Sequence, residues 1–106
     1  MITAIVQFKV ADDVGRDEVL SNMATVAPRF ENVPGLIRKN FLLDADRHIG
    51  GGVYTWESRD AAEALYAEGG PWRGAIRDLY GVEPEITLFE TPIIVDNAVG
   101  EIKTAA

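Results

Sequence analysis

His48-Ile49-Gly50-Gly51-Gly52-Val53-Tyr54-Thr55-Trp56-Glu57 is the stretch whose reading decides the fold. Val53 to Trp56 are all strand formers. The three glycines before them weaken a strand and mark a bulge or a close approach of something bulky. Tyr54 and Trp56 are two apart and share a face of the strand, and Gly52 lies on that face too. This face is expected to line a cavity, with the glycines making room for its occupant.

Outward from this strand, Asp44-Ala45-Asp46-Arg47 is turn-like and joins it as a hairpin to Leu36–Leu43. In that second strand Ile37, Lys39, Phe41 and Leu43 face one way, and Leu36, Arg38, Asn40 and Leu42 the other. Ile2 to Val10 alternates as a half-buried strand, with Ile2, Ala4, Val6, Phe8 and Val10 on one face. Between these strands, Val19, Met23, Val26 and Phe30 predict a helix over Arg16–Glu31. Pro28 should kink it or split off its last turn, because it lacks an N–H and clashes with the turn before. Val33-Pro34-Gly35 stops it.

After the hairpin, Ser58 is the expected N-cap of a helix carrying Ala61, Ala62, Leu65 and Tyr66. Gly69-Gly70-Pro71 ends it and starts another with Trp72, Ile76, Leu79 and Tyr80, which Gly81 closes. Val82 to Val95 is expected as the last strand, with Pro84 and Pro92 near its ends. The order β-α-β-β-α-α-β, with the short helices taken as one crossover, is the ferredoxin-like β-α-β-β-α-β unit. The predicted class is therefore α+β, with a four-stranded antiparallel sheet and helices on one face. One domain is expected over residues 1–95, with a tail over 96–106 whose Val99 and Ile102 can dock on a neighbour. In so short a chain a second copy is the simplest cover for the other sheet face, so a homodimer is predicted.

The net charge of −7 disfavours a phosphate backbone as partner, and no basic stripe is present, so nucleic acid is not expected. No apolar run approaches the ~20 residues of a membrane span. The start lacks a basic leader and cleavage site, and cysteine is absent, which fits the cytoplasm and rules out thiolate metal sites and a cysteine nucleophile.

Pro34-Gly35-Leu36, Asp44-Ala45-Asp46 and Gly51-Gly52-Val53-Tyr54-Thr55-Trp56-Glu57-Ser58, followed by an alanine-rich helix, resemble the dimeric α/β-barrel superfamily of antibiotic-biosynthesis-type monooxygenases. The Gly-Gly-Val-Tyr run and the helix after it are most similar to the YdhR-type members. The resemblance extends to about Val95. It implies a protomer that pairs into a barrel, a ligand cavity between sheet and helices, and, as in some members, oxidation of phenolic or quinone-like rings without metal or flavin. In those members a tryptophan ending the third strand and an asparagine four residues earlier position substrate and oxygen. Trp56 matches the first, while Gly52 stands at the asparagine position. Asn40 on the neighbouring strand is the candidate to replace that amide.

The candidate chemistry follows from these residues. Tyr54 and Trp56 can stack on a flat aromatic substrate, and Tyr54 can hydrogen-bond a phenolic oxygen. Phe41, Gly52 and Trp72 complete the candidate binding set. His48, the lone histidine, is a candidate base or haem ligand, although a haem-degrading relative would carry its histidine in the pocket helices. Arg73 and Arg77 share a helix face and can receive an anion, and a buried Glu57 or Glu90 could act as a base. Asp44, Asp46 and His48 fail as a calcium loop because Ile49 and Thr55 fall where glycine and glutamate are needed. The triple glycine fails as a phosphate loop because a strand follows it. The expected function is a cofactor-independent monooxygenase acting on a small hydrophobic aromatic molecule. The alternative is a non-catalytic or isomerising small-ligand-binding dimer.

Overall fold

The computed structural model describes residues 1–104. The final two residues of the expected tail, Ala105 and Ala106, lie outside the described residues. The elements run β1 (Ile2–Lys9), α1 (Arg16–Val26), a 3₁₀ turn (Ala27–Phe30), β2 (Leu36–Asp44), β3 (Ile49–Trp56), α2 (Arg59–Leu65), α3 (Pro71–Tyr80), β4 (Glu85–Glu90), β5 (Ile93–Asp96) and β6 (Glu101–Thr104). The main sheet has the order β2-β3-β1-β4 and every neighbouring pair is antiparallel, the ferredoxin-like arrangement. Strand β3 is central and pairs along its whole length with both β1 and β2, so the glycine-aromatic stretch forms the middle of the fold.

Local chemistry sets the element ends. Ser58 accepts the Ala61 N–H at 3.2 Å and caps α2. Gly81 ends α3 at φ 69°, a left-handed conformation that suits glycine. Pro28 splits the expected Arg16–Glu31 helix: the α-helix ends at Val26 and a 3₁₀ turn carries Phe30. The core joins β1 and β3 to α2 and α3, through Ile2, Ala4, Val6, Tyr54, Trp56, Ala62, Tyr66, Trp72 and Ile76.

Two expectations are corrected. The Val82–Val95 strand is in fact two elements: β4 ends at Glu90, and Pro92, which has no N–H for a ladder, separates it from β5. Strand β5 turns back on β6, so the tail folds as a hairpin with Val95 opposite Ile102. In β2 a register shift between Leu36 and Arg38 exchanges the expected facing of the first two residues. Leu36 pairs with Trp56 and joins the core, while Ile37 is left 46% exposed. From Lys39 onward the predicted alternation holds, with Lys39 beside Tyr54 and Phe41 beside Gly52.

Candidate functional site

A cavity of about 230 Å³ lies between the helices and the sheet. Its floor is Val6 and Phe8 of β1, Lys39 and Phe41 of β2, and Tyr54 with the Gly51 backbone of β3. Met23 and Val26 of α1, with Arg29 and Phe30 of the 3₁₀ turn, form one wall, and Trp72, Ala75, Ile76, Leu79 and Tyr80 of α3 form the other. On the apolar face of α1 Val19 is buried, whereas Met23 and Val26, which border this space, are half-buried.

The aromatic residues interlock. Tyr54 meets Phe30, Tyr66 and Trp72 edge to face, with ring centroids 6.1, 5.5 and 6.2 Å away. The Trp72 indole N–H donates to the Tyr54 hydroxyl oxygen at 3.1 Å, and the Trp56 indole N–H donates to that of Tyr66 at 3.1 Å. Burial pushes both tyrosine pKa values up, so each stays a neutral phenol. With its oxygen engaged by Trp72, Tyr54 is a hydrogen-bond donor and not a base.

Lys39 projects into this ring system from the apolar side of β2. Its Nζ sits 3.4 Å from the Phe30 centroid, 3.7 Å from that of Phe41 and 4.8 Å from that of Tyr54. None of the ion pairs among the described residues includes it. Burial lowers its pKa to about 7. Among the described residues Arg29 is the other cation bordering the cavity, and no carboxylate lines it.

The structure brings Phe41, Tyr54 and Trp72 together around the cavity and leaves the other expected residues out of its lining. Trp56 is fully buried behind Tyr54, held by Tyr66. At Gly52 a Cβ would lie 3.0 Å from the Asn40 carbonyl oxygen, 3.1 Å from the Tyr54 ring and 3.4 Å from Lys39 Cε. The bare backbone there thus seats the Tyr54 ring and the Lys39 stem. Asn40 alternates onto the opposite, exposed face of the sheet, because its neighbour Lys39 faces the cavity. His48 sits in the β2–β3 turn at φ 55°, with Nε2 3.8 Å from an Asp12 carboxylate oxygen. Arg73 and Arg77 both pair with Glu83, and Glu57 and Glu90 are exposed. Among the described residues no three His, Cys, Asp or Glu side chains converge on one point.

Sequence reasoning passed over Lys39 and Arg29. The signal for Lys39 was a lysine in phase with Phe41 and Leu43 on the inward face of β2. Arg29 carries no such signal, since its position depends on how the 3₁₀ turn leaves α1.

The fold and the cavity together define a ferredoxin-like α+β protein with an aromatic-lined chamber between sheet and helices. Solved structures share this fold. A cofactor-independent oxygenase from Streptomyces nogalater, SnoaB, aligns with a TM-score of 0.62 at 27% identity over 85% of this chain and 91% of its own. A monooxygenase from the gene ActVA-Orf6 of Streptomyces coelicolor, in complex with nanaomycin D, aligns at 0.66 and 18% identity over 85% and 86%. A structure from Deinococcus radiodurans described as a "putative antibiotic biosynthesis monooxygenase" aligns at 0.66 and 13% identity over 86% and 92%. Residues 4–77 match the family described as "Putative mono-oxygenase ydhR", and the chain belongs to that family. No curated protein matches the chain.

Proposed function

We propose that this chain is a cofactor-independent monooxygenase that takes a small aromatic molecule, phenol- or quinol-like, into the cavity between its sheet and helices. The observation that carries the reading is the chamber itself, lined by Phe8, Phe30, Phe41, Tyr54, Trp72 and Tyr80 within a monooxygenase family. Aromatic walls suit a flat ring, and the Tyr54 hydroxyl can donate to a ring oxygen. An engineered cavity of ~150 Å³ holds benzene, and drug-sized sites begin near ~300 Å³, so about 230 Å³ suits one or two rings. In such a reaction one oxygen atom enters the ring and the other leaves as water. The substrate supplies the two electrons and two protons that make the water and two further electrons to the oxygen it takes up, a four-electron oxidation in all. The protein's part is to hold the ring beside oxygen and keep water out.

The test is oxygen consumption with a panel of phenols, hydroquinones and anthrones. Uptake above buffer is expected, and it should vanish in Ala75→Trp, which fills the chamber from α3. No uptake across the full panel would overturn the oxygenase reading. One observation favours the second reading, a binding or isomerising module: Gly52 replaces the asparagine expected by resemblance, and Asn40 faces away. Ligands recovered unchanged after stabilising the protein would support that reading.

We infer a homodimer as the working assembly. The face of the sheet opposite the helices carries Ile5, Val53, Leu42 and Phe89, the last two 40% and 50% exposed. On the C-terminal hairpin Val95 and Ile102 are 64% and 69% exposed. Both surfaces suit a second copy.

A further inference from the structure

We propose that Lys39 is the base of this site: its amine takes the hydroxyl proton of a one- or two-ring hydroxyarene, and the resulting ammonium holds the arenolate in the chamber. The O–H bond breaks, an N–H bond forms, and the electron pair stays on the aryl oxygen. This step rests on the reading that the chamber admits a small aromatic molecule, and it narrows that reading to acidic hydroxyarenes.

Three observations converge. First, Lys39 Nζ lies among Phe30, Phe41 and Tyr54, all of which line the chamber, so the amine and a bound ring share one space. Second, the lining carries Arg29 and Lys39 and no carboxylate, in a protein with 17 acidic residues against 10 lysines and arginines. Arg29 is therefore the standing positive charge of the lining, and the chamber favours a ligand that can become an anion. Third, no carboxylate among the described residues pairs with Lys39, and burial holds its pKa near 7, so the empty chamber disfavours the ammonium. When the proton arrives, three ring faces and the new arenolate stabilise the cation together. The other titratable groups facing this space are Tyr54 from β3 and Tyr80 from α3, whose pKa values burial raises, and Glu18 of α1 lies near Tyr80. Neither tyrosine competes as a base at neutral pH, and Glu18 is not part of the lining. Tyr54 instead supplies a donor to the same oxygen.

The probe is 4-nitrophenol, whose phenolate is yellow and whose phenol is colourless. Equilibrium dialysis measures binding, and absorbance of the bound dye measures its protonation across pH. Bound dye should titrate below free dye, with a phenolate-to-phenol ratio of at least about ten at the pH where free dye is half ionised. In Lys39→Met, which keeps the stem but not the amine, the bound dye should titrate above free dye, because an apolar chamber without the amine disfavours the anion. Phenolate binding should fall about tenfold to a hundredfold. Lys103→Met, on the exposed hairpin, should behave as the parent. Bound dye that titrates as free dye, or a Lys39→Met protein that keeps the downward shift, overturns the role of Lys39 while the chamber reading stands. No binding of 4-nitrophenol or of any one- or two-ring phenol overturns both. A second measurement needs no variant. The chain has three lysines, Lys9, Lys39 and Lys103, so arylation by fluorodinitrobenzene can be mapped to each by mass spectrometry. Lys39 should react at a pH about two units or more below the other two and be shielded by bound 4-nitrophenol. Equal pH profiles overturn the proposal.

Discussion

Trp56 and Trp72 show how much a single side chain depends on its surroundings. Both are indoles bonded to a tyrosine hydroxyl, yet Trp72 borders the chamber and Trp56 does not. Trp56→Ala should therefore cost about 3–5 kcal/mol of stability, read from urea unfolding, as for a large core residue. Lys39 makes a different prediction. Its folded pKa lies below the unfolded value, so between about pH 7 and 10 the unfolded chain binds more protons and stability rises with pH. The penalty is full below about pH 7 and is relieved as pH climbs. Tyr54 and Tyr66 have raised folded values, so above about pH 10 they work in the opposite sense and stability falls. Unfolding curves of the parent and Lys39→Met should separate in slope between about pH 7 and 9, with the parent gaining and the variant flatter. Parallel curves would show that Lys39 is not held neutral. Gly52 was legible as a place where something must come close. Only the register of β2 reveals that the visitors are the Tyr54 ring and the Lys39 stem.

At the scale of elements, caps and breakers were the most readable features. Ser58 fixes the start of α2 through one hydrogen bond, and Ser58→Ala should cost about 1 kcal/mol, measured as a fall in the urea midpoint at unchanged slope. Pro28 and Gly81 act where their backbone chemistry requires. Pro92 was read as lying near the end of one strand and is instead a break between two, because the strand-like pattern from Val82 to Val95 does not disclose which partner each half will find. Strand β4 finds β1, and β5 finds β6. A chain ending after Thr91 should keep the circular dichroism of the four-stranded fold, since β5 and β6 pair only with each other. Loss of that spectrum would mean the hairpin supports the core. The β2 bulge was hidden for a similar reason: Leu36 and Ile37 are equally apolar, so alternation alone cannot tell which one turns inward.

At the scale of the molecule, the open sheet face is proposed to close against a second copy. Phe89→Asp should convert a dimer into a monomer in sedimentation velocity while leaving the helix-side chamber able to bind a phenol. A parent protein that sediments as a monomer at micromolar concentration would overturn the dimer. The amino-acid sequence by itself determined the class and order of the elements, because strand alternation, helical spacing and the Gly, Pro and Ser punctuation are local properties of the chain. It also placed Phe41, Tyr54 and Trp72 on inward faces. Tertiary structure alone decided that a hollow exists and who borders it. A cavity is space left over between elements distant in sequence, here α1, α3 and the sheet, and it depends on how far each stands from the next. The same packing seals Trp56 away, sends Asn40 to the far face, and leaves one lysine amine among three rings.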